Sequence, residues 1–107
     1  MKEHRTLSPR QEALNERALY NAILTLKTKD ELRAFFRDLC TPAEIQAMAD
    51  RWAVASMLGE RLPYRRIQQE TGVSVTTVGR VAKFYQSGHG GYAIANARLA
   101  GGRRRAT

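Results

Sequence analysis

Val75, Thr76, Gly79, Arg80 and Lys83 are spaced so that a helix would gather them on one outward face. Together they offer methyl groups, a hydroxyl, a bare backbone position, a forked guanidinium and a compact ammonium. Such a set suits the major groove of double-stranded DNA, which presents thymine methyls, the paired acceptors of guanine and flanking phosphates. Arg65 and Arg66 lie on the element just before and are expected to lie across the backbone as clamps. Ser74 and Thr77, in the first turn of the reading helix, complete the set, and helix N-termini at Pro63 and Ser74 add amide donors for phosphate oxygens. Each residue has a plainer reading: Arg80 as a solvated helix residue, Gly79 as a tolerated defect.

The segment "TGVSVTTVGRV" (71–81) that carries most of these residues reads locally as a strand, because it is rich in valine and threonine. A helix-turn-helix template divides it differently. Gly72 supplies a turn at positive φ, Ser74 caps the second helix, and Ile67, Val73, Val78 and Val81 take the inward positions. The outward set above is what remains.

Charge points the same way. Residues 1–60 carry nine basic and nine acidic side chains, whereas residues 61–107 carry nine basic ones against Glu70 alone, so the net +8 lies wholly in the second half. A polyanion is the natural partner of that half, nucleic acid before membrane; a solubilising charged face is the plainer alternative. No apolar run nears the roughly 18–20 residues needed to span a bilayer, and no signal-peptide pattern opens the chain. The lone Cys40 forms no internal disulfide, which leads to the expectation of a reduced, cytoplasmic, nucleoid-associated protein in which this thiol is a small buried hydrophobe at a helix end. With His4 and His89 in terminal segments and no nucleotide loop or metal-ligand spacing, the chain is read as no enzyme, with no metal and no cofactor.

The positioning elements are helices. "SPRQ" (8–11), "TKDE" (28–31) and "TPAE" (41–44) all fit the capping box, in which a hydroxyl and a side chain three residues on satisfy each other's backbone amides. Helices are expected from Pro9 to about Leu26, over about 29–40, and from Pro42 to Leu58 with a stop at Gly59. A short helix follows over 64–70, then a longer one to about Gln86. Leu14, Ala18, Ala22, Ile23 and Leu26 share a face of the first, and Trp52 is read as core. The expected organisation is one all-α domain over 1–86, with dimerisation and core helices in 9–58 and the helix-turn-helix in 63–86. Residues 87–107, rich in glycine and arginine, are expected to form a mostly flexible tail. A chain of this length beginning at Met1 is expected to be whole rather than a fragment.

"LCTPAEIQAMADRWAVASML" (39–58) followed by "YRRIQQETGVSVTTVGR" (64–80) resembles the bacterial tryptophan repressor superfamily, in its TrpR-like branch of the YerC/YecD type. The resemblance covers residues 17–86. It implies an all-helical fold of five to six helices and an intertwined homodimer that reads a palindromic operator, with reading helices one DNA turn, roughly 34 Å, apart. Arg65, Gln68, Val75, Thr76 and Gly79 fall on DNA-contact positions, and Arg51 and Arg80 match the arginines that embrace tryptophan in the repressor. Two neighbouring positions depart: Val81 stands for a glycine and Phe84 for a serine. Both are expected to fill the effector cavity, so tryptophan is not expected as corepressor and any other small effector is left open.

The leading expectation is therefore a sequence-specific DNA-binding transcription regulator, a repressor by resemblance. The alternatives are a non-specific or architectural nucleic-acid binder that relies on the basic half and its "GGRRR" end, and a DNA-tethering module that recruits a protein partner or a domain like the DNA-binding end of replication initiators.

Overall fold

The computed structural model describes residues 6–106, with side chains through residue 102; His4 lies outside them. Among the described residues every regular element is a helix: α1 (Pro9–Leu24), α2 (Lys29–Leu39), α3 (Pro42–Gly59), α4 (Tyr64–Thr71), α5 (Val75–Ser87) and α6 (Gly91–Ala106). The fold is all-α, as expected from the caps and periodicity. Its division is not. The chain separates into two compact units, Met1–Thr41 and Pro42–Thr107, in place of one domain over 1–86 and a tail.

The first unit is built by local chemistry. The Ser8 hydroxyl accepts from the Gln11 amide at 3.1 Å, and the Gln11 side chain accepts from the Ser8 amide at 3.2 Å, closing the capping box. At α2 the Thr28 hydroxyl accepts from the Glu31 amide, but Glu31 returns its bond to Lys27, at 2.7 Å, one residue before the cap. α1 stops at Leu24, short of Leu26, where the Thr25 hydroxyl folds back to donate to the Ala22 carbonyl. Phe35 and Phe36 meet edge to face, with centroids 5.8 Å apart. Yet neither helix buries a residue: Leu14, Tyr20 and Leu39 are about half exposed and Leu24 is 81% exposed.

The second unit owns the core. Val54 and Ala55 of α3, Ile67 of α4, and Val78 and Val81 of α5 are buried against one another, flanked by Trp52, Leu62, Val73, Tyr85 and Tyr92. α3 does not stop at Gly59 by glycine termination. The Leu62 amide donates to the Met57 carbonyl and the Arg61 amide to Leu58, a Schellman closure in which Arg61 adopts φ 64 and Leu62 packs on the core. Gly59 is thereby left inside the helix, and a Cβ there would lie 2.6 Å from the Asn96 side-chain nitrogen of α6. Within the stretch expected to be a mostly flexible tail, Gly91–Ala106 is the helix α6, which docks through Asn96: its side chain donates to the Ala55 carbonyl at 3.1 Å and the Tyr85 hydroxyl at 3.0 Å. Tyr92 stacks on Tyr85 and lies tilted against Trp52. These contacts outweigh the glycine content that argues for disorder. The side chains of Arg103, Arg104 and Arg105 lie outside the described residues.

Candidate nucleic-acid interface

α4, the turn and α5 form the helix-turn-helix. Gly72 ends α4 at φ 70, ψ 8, a left-handed conformation that any side chain would strain, and its amide donates to the Gln68 carbonyl at 2.9 Å. Thr71 stiffens the corner: its hydroxyl donates to the Ile67 carbonyl and accepts from the Val73 amide. Ser74 then caps α5, accepting from the Thr77 amide at 3.2 Å and donating to the Thr77 hydroxyl at 3.1 Å. Two side chains, Thr71 and Ser74, thus reach the local backbone on either side of the glycine turn.

The inward and outward sets separate as the template requires. Ile67 is fully buried, Val78 and Val81 are 1% exposed, and Val73 packs on this core. Val75 is 63% exposed, and Thr76, Gly79, Arg80 and Lys83 are exposed beside it. A Cβ at Gly79 would meet only open space, so nothing within the chain calls for a glycine there. Arg65 and Arg66 are exposed on α4, and Arg66 pairs with Glu70 at 2.8 Å, a surface bond worth little that another anion can displace. Gln68 is half-buried. Ser74 and Thr77 spend their hydroxyls largely on each other and on the cap, so their placement is first structural.

The residues matched to an effector pocket lie in different surroundings. Val81 is packed into the core of the unit. Phe84 does not fill a cavity; it is 47% exposed and, with His89, Gly90, Gly91 and Tyr92, borders an open cleft of about 340 Å³. The difference arises because Phe84 sits on the solvent side of α5, away from the face carrying Val78, Val81 and Ala82. Arg51 and Arg80 are both exposed. Cys40, expected to be buried, is half-buried, because no core forms around α2. Sequence reasoning missed Asn96 and the close approach at Gly59. The four-residue spacing of Tyr92 and Asn96, which puts both on one helical face, was the available sign.

No helix among the described residues is long and apolar enough to cross a membrane. What stands here is a helix-turn-helix unit with a capped, basic, outward-facing second helix on an all-α scaffold.

Residues 15–100 match the Trp repressor protein family. YerC of Bacillus subtilis strain 168, uncharacterised in function, is 46% identical over 77 residues, which are 72% of this chain and 74% of that one. Among solved structures, a TrpR-like protein from Eubacterium eligens superposes with a TM-score of 0.75 at 40% identity, covering 78% of this chain and 87% of its own. A chain from Staphylococcus aureus, proposed there to be a Trp repressor, superposes with a TM-score of 0.76 at 37% identity, covering 89% of this chain and 96% of its own. The chain belongs to the Trp repressor family, a family of DNA-binding regulators rather than enzymes. Within it the similarity is to TrpR-like proteins of the YerC type.

Proposed function

We propose that this protein is a sequence-specific, DNA-binding transcription regulator that acts as a homodimer and reads a palindromic operator with α5 in the major groove. The observation that carries the reading is the outward row of Val75, Thr76, Gly79, Arg80 and Lys83 beside a buried row that fixes which face of α5 turns outward. Val75 is a largely exposed apolar side chain suited to a thymine methyl, and Arg80 forks onto guanine. The open space at Gly79 is clearance for base edges rather than packing within the chain. Lys83, Arg65 and Arg66 take phosphates, with Gln68 behind them at the turn. Dimerisation is supported by the first unit, where Leu14, Leu24 and Leu39 stay half exposed or more.

DNA binding in this reading does not require tryptophan as corepressor. Val81 holds its place in the core, where opening space for an indole would cost the packing of α5 on α3 and α4.

Selection of sites from random duplex DNA with the purified protein tests the proposal, followed by footprinting and a salt series. The expected result is an enriched site with twofold symmetry and no need for added tryptophan. Arg80→Ala costs about 1–3 kcal/mol and relaxes one position of the site. Lys83→Ala weakens all sequences alike and lowers the salt slope by about 1 per subunit. Equal affinity for selected and random duplexes, lost on removing residues 87–107, would instead support the architectural reading.

A further inference from the structure

α6 touches DNA nowhere in the reading above, yet its polar side chain Asn96 reaches two other helices at once. One carboxamide nitrogen donates to the Ala55 carbonyl of α3, 41 residues away in the chain, and to the Tyr85 hydroxyl of α5. The carbonyl has a second lone pair beyond the one its own helix uses, so the bond is an addition to α3 rather than a substitution within it. The site is half-buried and cross-helical, where a hydrogen bond is stronger than on open surface. Gly59 leaves the necessary gap: a Cβ there would stand 2.6 Å from the Asn96 nitrogen and 3.1 Å from the Tyr85 oxygen. Tyr92, one turn before Asn96, stacks on the Tyr85 ring at 6.0 Å between centroids and leans on Trp52 at 6.2 Å.

We infer that Asn96 is a positioning residue for the reading helix: α6, through the Asn96–Tyr85–Ala55 bridge seated over Gly59, fixes the C-terminal half of α5 on α3. Capping and the turn specify where α5 begins, and Ile67, Val78 and Val81 hold its first two turns. Beyond Ala82 no α5 residue is fully buried, so the orientation of its end depends on Tyr85 and what holds it. A swing of that end tilts the α5 axis, shifting Lys83 and, by a smaller amount, Arg80 relative to a groove read by bidentate bonds, while leaving the charge unchanged. The DNA consequence rests on the proposed function; the mechanical one does not.

The experiment therefore has two readouts on the full chain. Hydrogen exchange of the free protein follows the α5 amides, and binding compares the selected site with random duplex at one salt concentration. Asn96→Ala and Tyr85→Phe are expected to speed exchange over residues 82–87 by about tenfold for the alanine variant and less for the phenylalanine one, with helix content by circular dichroism retained. Selected-site affinity falls about tenfold for Asn96→Ala while random-duplex affinity stays within about twofold, because no charge is lost. Gly59→Ala, which pushes the carboxamide off its seat, reproduces the effect, and the double variant Gly59→Ala/Asn96→Ala is no worse than either alone. Unchanged α5 exchange in Asn96→Ala overturns the inference whatever happens on DNA. Faster exchange with an undiminished selected-to-random ratio overturns its functional half. A parent protein that shows no site preference at all sinks the proposed function instead, and the exchange result still decides the mechanical claim.

Discussion

The two units of this chain follow the same local rules and reach opposite ends. In Met1–Thr41, side-chain N-caps and amphipathic spacing produce two well-formed helices that bury nothing fully. In Pro42–Thr107, helices no better capped enclose Ile67, Val54, Val78 and Val81 almost completely. The contrast points to burial as what separates a helix that forms from a helix that is held. Isolated helices of 16 and 11 residues are marginal in water without packing. The first unit thus carries an unmet demand for apolar cover, the second does not, and a second copy of the chain is the cover proposed here.

That contrast can be broken at its strongest point. Ile67→Ala removes a fully buried side chain at the corner between α4 and α5 and is expected to cost about 2–5 kcal/mol in chemical denaturation. A loss near zero would mean that the second unit is not the stability centre. On the other side, Leu14→Glu with Leu24→Glu changes only exposed positions, which ordinarily costs little in a monomer. In a homodimer built on α1 the pair instead raises the dissociation constant by about tenfold or more, seen as a fall in mass by sedimentation. Unaltered mass at low micromolar concentration would place the dimer surface elsewhere.

Smaller effects sharpen the comparison between local and tertiary control. Ser74→Ala deletes the cap of α5 and should lower thermal stability by about 1 kcal/mol, with a larger effect on DNA affinity than on helix content. The smallest effect lies in the first unit. The Tyr20 phenol donates to the Glu16 carboxylate at 2.5 Å, which favours the protonated phenol and raises its pKa above 10.0, assisted by desolvation and the nearby negative charge. Whatever this bond adds to α1 is present below the ordinary phenol pKa and is lost as pH rises through the raised one. Ultraviolet titration of the parent against Glu16→Gln should show the variant moving part of the tyrosine absorbance change to lower pH.

Much of the candidate interface was legible because it is local. The four residues from Thr71 to Ser74 contain the whole turn: a hydroxyl for the corner, a glycine for positive φ, a valine inward and a serine cap. The split of Val75 outward from Val78 and Val81 inward follows from helical spacing once the strand reading is set aside, and the structure keeps it. Phe84 was misjudged because residue size and a family position suggested filling, whereas its place on α5 turns it toward solvent. α3 ends at Gly59 as its glycine suggests, but Arg61 and Leu62 close it, and a glycine's local meaning is ambiguous between termination and close approach.

By itself, then, the sequence determined what short-range bonding can specify: the starts of α1, α2 and α5, the left-handed corner at Gly72, the inward and outward faces of α5, and a basic second half. Only the tertiary structure decided the fate of Gly91–Ala106. Each glycine in a helix costs about 1 kcal/mol relative to alanine, so local preference alone leaves that stretch unfolded. Tyr92 and Asn96 overturn that preference with contacts to Trp52, Ala55 and Tyr85, partners up to 41 residues away that no window of the sequence places together.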